Sequence, residues 1–295
     1  MKKRIWFFVL LFVSAGVTTA QTVLCPKPAI SIKLLPVYNE EEEPDLTGFY
    51  IGGNIGFYFA NKVTASYYNG RGVNNVDSVL NDRGSTIISQ NHKAIKEALG
   101  GYDFQFNPED LPLDMKYDPS INIGFFMKYN TTNNSGFFLL FNYTKLQAIG
   151  GFNIEVDMYN NGFSEPVYEQ CNIYGVEERI NFDFGYNRSF QIDKTAAFFL
   201  EGGLNINDTK LLHNKIQVAG LEFEITNPYY SMYNLQQGGM GAGVFVGAGF
   251  NLNFNNIFSL DPGVTCYLTR INMGDETPYR PNFTAFIRLT ANNIL

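Results

Sequence analysis

Residue types that could carry out catalysis are sparse in this chain. It contains two histidines, His92 and His213, and neither lies in a motif that would place a nucleophile and an orienting acid beside it. A histidine without such partners is usually an exposed residue rather than a general base. The sequence therefore predicts no catalytic residue, no cofactor and no enzymatic activity.

Metal ligation is not predicted either. The stretch FNPEDLPLDMKYDP contains four acids without the ordered spacing of a known calcium loop, which favours an acidic surface: Glu109, Asp110, Asp114 and Asp118. Three cysteines are an odd number and lie far apart in the chain: Cys25, Cys171 and Cys266. This spacing is typical neither of a disulfide framework nor of a metal knuckle.

Another group of charged residues alternates with apolar ones. In RINFDFGYN, residues 179–187, a cation, an amide and a carboxylate lie two residues apart, and the residues between them are apolar or aromatic. This period of two predicts a β-strand with one apolar and one polar face. Eight segments share the pattern, and none of their apolar faces contains a charge: FYIGGNIGFYF, INIGFFMKY, FFLLFNY, RINFDFGYN, FFLEGGLNI, AGVFVGAGFNL, FSLDPGVTCYL and FTAFIRL.

The connections between these segments alternate strictly in length. Three are short, and four are long, at 61–119, 149–172, 208–238 and 271–281. Short turns on one side and long loops on the other are typical of outer-membrane barrels. The sequence therefore predicts an all-β fold, an eight-stranded antiparallel up-and-down transmembrane β-barrel with long extracellular loops. The alternatives are a soluble β-sandwich or sugar-binding barrel, and a ten-stranded barrel in which both arms of KIQVAGLEFEI cross the membrane.

The N-terminal region predicts export. Residues 1–20 have the charged, apolar and small-residue order of a cleaved signal peptide. Residues 21–46, with four prolines and the run EEEE, are predicted to form an acidic periplasmic tail that precedes a barrel at 47–295. Cleavage after Ala20 leaves 18 Lys and Arg against 28 Asp and Glu, a formal charge of −10, which argues against a nucleic-acid partner.

From about Thr47 to Leu295, the strand pattern and topology resemble those of small eight-stranded outer-membrane barrels of the OmpA/OmpX type and of PorT-like barrels. The resemblance implies insertion in the outer membrane of a Gram-negative-type cell, in contact with outer-membrane lipid. It rests on no signature motif and implies little about function. The chain departs from the common pattern at its end, because such barrels usually finish on an aromatic residue and this one finishes ANNIL.

The polar faces of the segments carry three cations and three anions, which we predict to form an ion-pair network in the lumen: Lys128, Arg179, Asp183, Glu201, Asp261 and Arg288. An eight-stranded barrel is just wide enough for side chains to fill. Buried charges persist only when they are paired. The favoured interpretation is a plug, and the alternative is a narrow ion path.

The first long loop contains SQNHKAIKEALGG, which predicts a short amphipathic helix. Its apolar stripe either packs on a neighbouring loop or binds a partner protein: Ala94, Ile95, Ala98 and Leu99. The predicted function is that of a non-enzymatic barrel presenting extracellular loops as a subunit or accessory protein of a larger outer-membrane complex, with other envelope proteins as partners. The alternatives are a narrow transport channel and a lipid-modifying or proteolytic barrel enzyme.

Overall fold

The computed structural model of the protein describes residues 46–80, 86–158, 165–233, 235–254, 257–273 and 278–292. The predicted signal peptide, 1–20, and all but the last residue of the predicted tail, 21–46, lie outside the described residues. Among the residues that the structure describes, no helix combines the length and the hydropathy that a bilayer crossing requires.

Eight long antiparallel strands form a closed ring. Each is hydrogen-bonded to two neighbours, and the first pairs with the last. The strands are β1 (Gly48–Phe59), β4 (Ser120–Thr132), β5 (Ser135–Val156), β6 (Val167–Gln191), β7 (Ala196–Val218), β9 (Gly238–Asn253), β10 (Phe258–Thr269) and β11 (Arg280–Asn292). The predicted all-β barrel is confirmed.

The wall of the barrel is apolar outside and polar inside. On β6, Ile180, Phe182 and Phe184 point outward and are 37–49% exposed, whereas Arg179 and Asp183 point inward and are fully buried. A closed ring leaves no unpaired strand edge, which is the condition for strands to cross hydrocarbon. The apolar outer face then meets lipid. The chain is an integral β-barrel of the outer membrane.

Three of the strands continue far beyond the lipid-facing wall. The predicted long loop 149–172 is largely strand, because β5 runs to Val156 and β6 begins at Val167. In the predicted loop 208–238, β7 reaches Val218 and forms a hairpin with β8 (Leu221–Glu224). The first arm of KIQVAGLEFEI therefore belongs to the extension of β7 and the second is β8, and the hairpin lies outside the ring rather than adding two crossing strands.

The faces of the extended strands exchange their polarity at one level. Lys145 on β5 pairs with Glu178 on β6, which pairs with Lys210 on β7, and all three side chains point outward. Beyond this charged row most inward residues are apolar and buried, with Glu177 and Asn214 as buried polar exceptions: Leu146, Ala148, Phe152, Ile154, Cys171, Ile173, Ile216 and Val218. We call the part of the chain beyond the row the head. Most of its buried apolar residues form one hydrophobic cluster, the head core, to which Leu146 does not belong.

The segment between β1 and β4 completes the head core. Its described residues contain three short helices, two 3₁₀ turns and two short strands: α1 (Lys62–Ala65), a 3₁₀ turn (Ser66–Tyr68), α2 (Asp77–Leu80), α3 (Thr86–Ala98), β2 (Phe104–Gln105), a second 3₁₀ turn (Pro108–Asp110) and β3 (Lys116–Tyr117). The strands β2 and β3 both pair with the extension of β5. The segment is therefore an integral part of the head rather than a free loop.

Two positions on the same face of β6 test where lipid meets the wall. We expect Phe182→Arg to lower the free energy of unfolding by about 2–4 kcal/mol, since this side chain faces the hydrocarbon. Tyr168→Arg, on the outward face of the head, is expected to change the free energy of unfolding by less than about 0.5 kcal/mol. Urea unfolding from lipid vesicles measures both values, and equal costs would contradict the placement of the lipid boundary.

Candidate functional site in the lumen and at the outer mouth

The centre of the lumen is crossed by one ion pair. Arg288 on β11 and Glu201 on β7 lie on strands separated by two others, and Arg288 Nη1 is 3.3 Å from Glu201 Oε2. Both side chains are 1% exposed. Because the pair is out of contact with water, each charge depends on the other for its stabilisation.

Aromatic rings enclose the Arg288 guanidinium. Its Cζ lies 3.8 Å from the ring centroid of Phe126, 4.7 Å from that of Phe286 and 6.0 Å from that of Phe138. Phe126 and Phe138 belong to a buried cluster that also contains Leu140, Phe245 and Tyr267. The rings attract the cation by cation–π interactions and occupy the volume that water would need to surround it.

Two carboxylates of the predicted network bind amides and a phenol instead of cations. Asp183 accepts hydrogen bonds from Asn205 Nδ2 at 2.6 Å and from the Tyr267 hydroxyl at 2.9 Å. Asp261 accepts one from Asn251 Nδ2 at 2.6 Å. The six predicted residues thus all point into the lumen, but direct charge pairing joins only Arg288 and Glu201 among them in the described structure.

Lys128 and Arg179 lie at opposite ends of the lumen. Lys128, near the periplasmic end, places Nζ 4.7 Å from the centroid of the Tyr50 ring. Arg179, at the outer end, pairs with Glu177 of its own strand at 2.5 Å, and both side chains are fully buried. The prediction of one network that includes Arg179 is corrected, because its partner is Glu177, which the prediction omitted. The signal was present in the sequence, since Glu177 continues the inward alternation of β6 by one step.

The Glu177–Arg179 pair is covered by residues from the segment between β1 and β4. Glu177 Oε2 accepts hydrogen bonds from the hydroxyls of Tyr68 and Tyr117. Arg179 Nη2 donates to Thr64 Oγ1 and to the Tyr117 hydroxyl, both at 3.3 Å. Burial, followed by the nearby Glu177 carboxylate, raises the pKa of both tyrosines well above its usual range. Both phenols therefore stay protonated and can donate at neutral pH.

Gly175 permits the close approach of Tyr68. A Cβ at this position of β6 would lie 1.9 Å from Tyr68 Cδ1, so the ring rests directly on the strand backbone. We call the group formed by Thr64, Tyr68, Tyr117, Glu177 and Arg179 the outer seal. It closes the mouth of the barrel at the level where the polar lumen meets the apolar head core.

The predicted partner-binding stripe on α3 is also corrected. Ile95 is fully buried in the head core, and Leu99 packs against it. Ala98 is exposed and Ala94 is partly buried. The two larger residues of the stripe thus pack on the chain's own core, in the same cluster as Leu80 of α2 and Phe104 of β2. Ile95, the fully buried residue of the stripe, is therefore not available to a partner protein.

The histidines and loop acids do not assemble into a reactive centre in the part of the chain that the structure describes. The His92 ring stacks on Phe104, with centroids 4.4 Å apart, and His213 Nδ1 lies 3.6 Å from Glu224. Over the same residues, no three His, Cys, Asp or Glu side chains come close enough together to hold a metal ion.

A double-mutant cycle tests the central ion pair. Arg288→Met leaves the buried Glu201 without a counterion and is expected to cost about 3–5 kcal/mol of unfolding free energy. We expect the double variant Glu201→Leu/Arg288→Met to be more stable than Arg288→Met alone, because it removes both charges. Urea unfolding from vesicles provides the values, and strictly additive effects would contradict direct coupling.

No known protein-family model matches the sequence, and no curated protein matches it. Among solved structures, the chain is similar to Neisserial surface protein A (NspA), with a TM-score of 0.42 and 8% identity, covering 84% of this chain and 98% of that one. Outer membrane protein OprG from Pseudomonas aeruginosa gives a TM-score of 0.39 and 8% identity, covering 84% and 94%. The structure of Ail, the attachment invasion locus protein of Yersinia pestis, in complex with the heparin analogue sucrose octasulfate, gives a TM-score of 0.33 and 11% identity. This similarity covers 83% of this chain and 98% of that one. Similarities at this level carry no information about the function of the chain.

Proposed function

We propose that the protein is a non-enzymatic, non-conducting barrel that presents its head to another envelope protein, as a subunit or accessory protein of a larger outer-membrane complex concerned with secretion, assembly or uptake. The observation that carries the proposal is the continuation of β5, β6 and β7 beyond the lipid into a head with its own hydrophobic core.

The filled lumen supports a role outside the bore. The Arg288–Glu201 pair, enclosed by phenylalanine rings, occupies its centre, and the outer seal occupies its mouth. Water would have to displace both groups to form a continuous column. Since each contains a fully desolvated ion pair, displacement of either would carry a large free-energy cost.

The construction of the head supports a binding role. Spanning the membrane requires only about 9–11 residues per strand, whereas β6 has 25 and β7 has 23. The additional residues fold together with the segment between β1 and β4 around one core, which gives a defined rather than a fluctuating surface. A defined surface loses little conformational entropy when it binds another protein.

The exposed side of the head offers contact residues of the appropriate kind. Leu113, Tyr168 and Tyr279 are large, apolar or aromatic, and well exposed. Acidic residues lie next to two of them, because Asp114 follows Leu113 in the chain and Glu155 pairs with Tyr168 across the strands. Aromatic residues are enriched where protein interfaces form. We infer that the partner is a protein of the envelope rather than a nucleic acid, because the mature chain carries a formal charge of −10.

Site-directed photocrosslinking in cells tests the partner proposal. A photoreactive amino acid at Leu113 or Tyr168 is expected to yield a discrete, reproducible protein adduct, since both side chains stand on the exposed head. The matched control is the same amino acid at Val246, which faces lipid. Failure of both head positions to give an adduct above the control, in cells that express the protein at its native level, would contradict the proposal.

Conductance in planar bilayers distinguishes the closed barrel from a narrow channel. We expect the full-length protein to give no steady openings, because the central pair and the outer seal leave no water column. The channel alternative predicts steady openings whose size changes in Arg288→Ala. Steady openings of the unmodified protein would contradict a non-conducting barrel, while the crosslinking result would still report on the partner.

A further inference from the structure

A long stretch that begins in the third long connection, 208–238, has no charged side chains. Residues 225–260 contain no Asp, Glu, Lys, Arg or His, and this stretch includes both β9 and the extracellular residues that lead into it. The lack of charge within β9 follows from its place in the membrane wall. The residues before β9 lie beyond that wall, and the other long extracellular segments contain several charges each.

These extracellular residues expose apolar and aromatic side chains. We call residues 227–237 the tyrosine loop. It contains α4 (Pro228–Met232), and its exposed side chains include Met232 at 71% and Tyr233 at 60%. The Tyr229 ring lies 4.7 Å from that of Tyr233 and 5.9 Å from that of Tyr230. Three rings and a methionine thus form one preassembled, uncharged patch.

Both ends of the tyrosine loop are fixed to the rest of the protein. The backbone N–H of Asn227 donates a hydrogen bond to Asn74 Oδ1 at 3.0 Å, and the side-chain Nε2 of Gln237 donates to the same atom at 2.9 Å. Gln236 Nε2 donates to the carbonyl of Leu211 at 2.6 Å. Asn74 and Gln237 are buried, so the base of the loop is held rigidly while its aromatic residues remain exposed.

Strand register gives the height of this base above the lipid-facing wall. Ala242 pairs with Ile206, the last outward apolar residue of β7, and Gly238 pairs with Lys210 of the charged row. The end of the base at Gly238 therefore lies four residues beyond Ala242, which marks the edge of the apolar wall. At about 3.3 Å per residue and a tilt of about 40°, this is about 10 Å along the membrane normal. Met240, 70% exposed, lies between the wall and the loop and continues the apolar surface.

We propose that the tyrosine loop is an interfacial anchor that inserts Tyr229, Met232 and Tyr233 among the lipid headgroups of the outer leaflet. Tyrosine is suited to this layer because its ring is apolar and its hydroxyl can remain hydrated. The absence of charge removes the main cost of leaving water. We assign lipid rather than a protein partner as the occupant, because the loop has no charge and strand register places its Gly238 end within the depth of a headgroup layer above the apolar wall.

Tryptophan fluorescence provides the test, because the single tryptophan of the chain, Trp6, lies within the predicted signal peptide and the mature protein has none. Tyr233→Trp is reconstituted in vesicles whose lipids carry a nitroxide on the headgroup. Tyr168→Trp is the matched control, since Tyr168 is 59% exposed on the head. We expect the nitroxide to quench the Tyr233→Trp signal at least about twofold more than that of the control, and iodide in the water to quench it less.

A second variant separates insertion of the patch from the preference of tryptophan itself for interfaces. In Tyr233→Trp combined with Tyr229→Ser and Met232→Ser, we expect quenching by the nitroxide to fall toward the control. Correct folding of every variant is verified by its shift in gel mobility on heating. Equal quenching of Tyr233→Trp and Tyr168→Trp, or unchanged quenching in the combined variant, would overturn the proposal. A protein contact cannot produce the expected result, since the vesicles contain only this protein and lipid.

Discussion

Hydrocarbon around the wall is the constraint on which the rest of the structure depends. A strand in lipid must satisfy every backbone donor and acceptor through its neighbours, which forces the eight strands to close upon themselves. Closure sends every second side chain into a narrow bore. Polar residues are tolerated there only if they find partners, so Glu201 meets Arg288 and Asp183 meets Tyr267. The filled lumen is therefore a consequence of the same constraint that makes the outer face apolar.

The solvent around the strands changes at the row formed by Lys145, Glu178 and Lys210, and the strands respond to that change. At and above it the outward face has left the hydrocarbon and carries charges, while the inward face can pack against other protein segments. The inward residues Ile154 and Ile173 consequently join the head core. The segment between β1 and β4 supplies the opposite side of this core. One set of continuous strands thus serves a barrel of polar interior and a head of apolar interior.

Much of the barrel could be predicted from sequence because its signals are local. Alternation such as that around Phe182 repeats every two residues, and the uncharged outer faces follow directly from it. The head was harder to predict, since its strands continue with the opposite polarity and the segment around Phe152 therefore resembled a loop. The outer seal depends on contacts between distant parts of the chain, since Tyr68 and Glu177 are 109 positions apart in the sequence. Alternation predicts on which side of a strand Glu177 lies, but it contains no information about which tyrosine reaches it.

The outer seal also argues that the bore does not open spontaneously. Opening the mouth would separate Thr64, Tyr68 and Tyr117 from a carboxylate and a guanidinium that have no other access to water. It would also expose part of the head core, because Tyr68 belongs to both groups. The loss of hydrogen bonds to charged groups costs about 1.5–3 kcal/mol each, and several would be lost together. A ligand could hold such an open state only by binding it more tightly than the closed state by a comparable free energy. Since Tyr68 belongs both to the outer seal and to the head core, opening the bore would also disrupt the packing of the head.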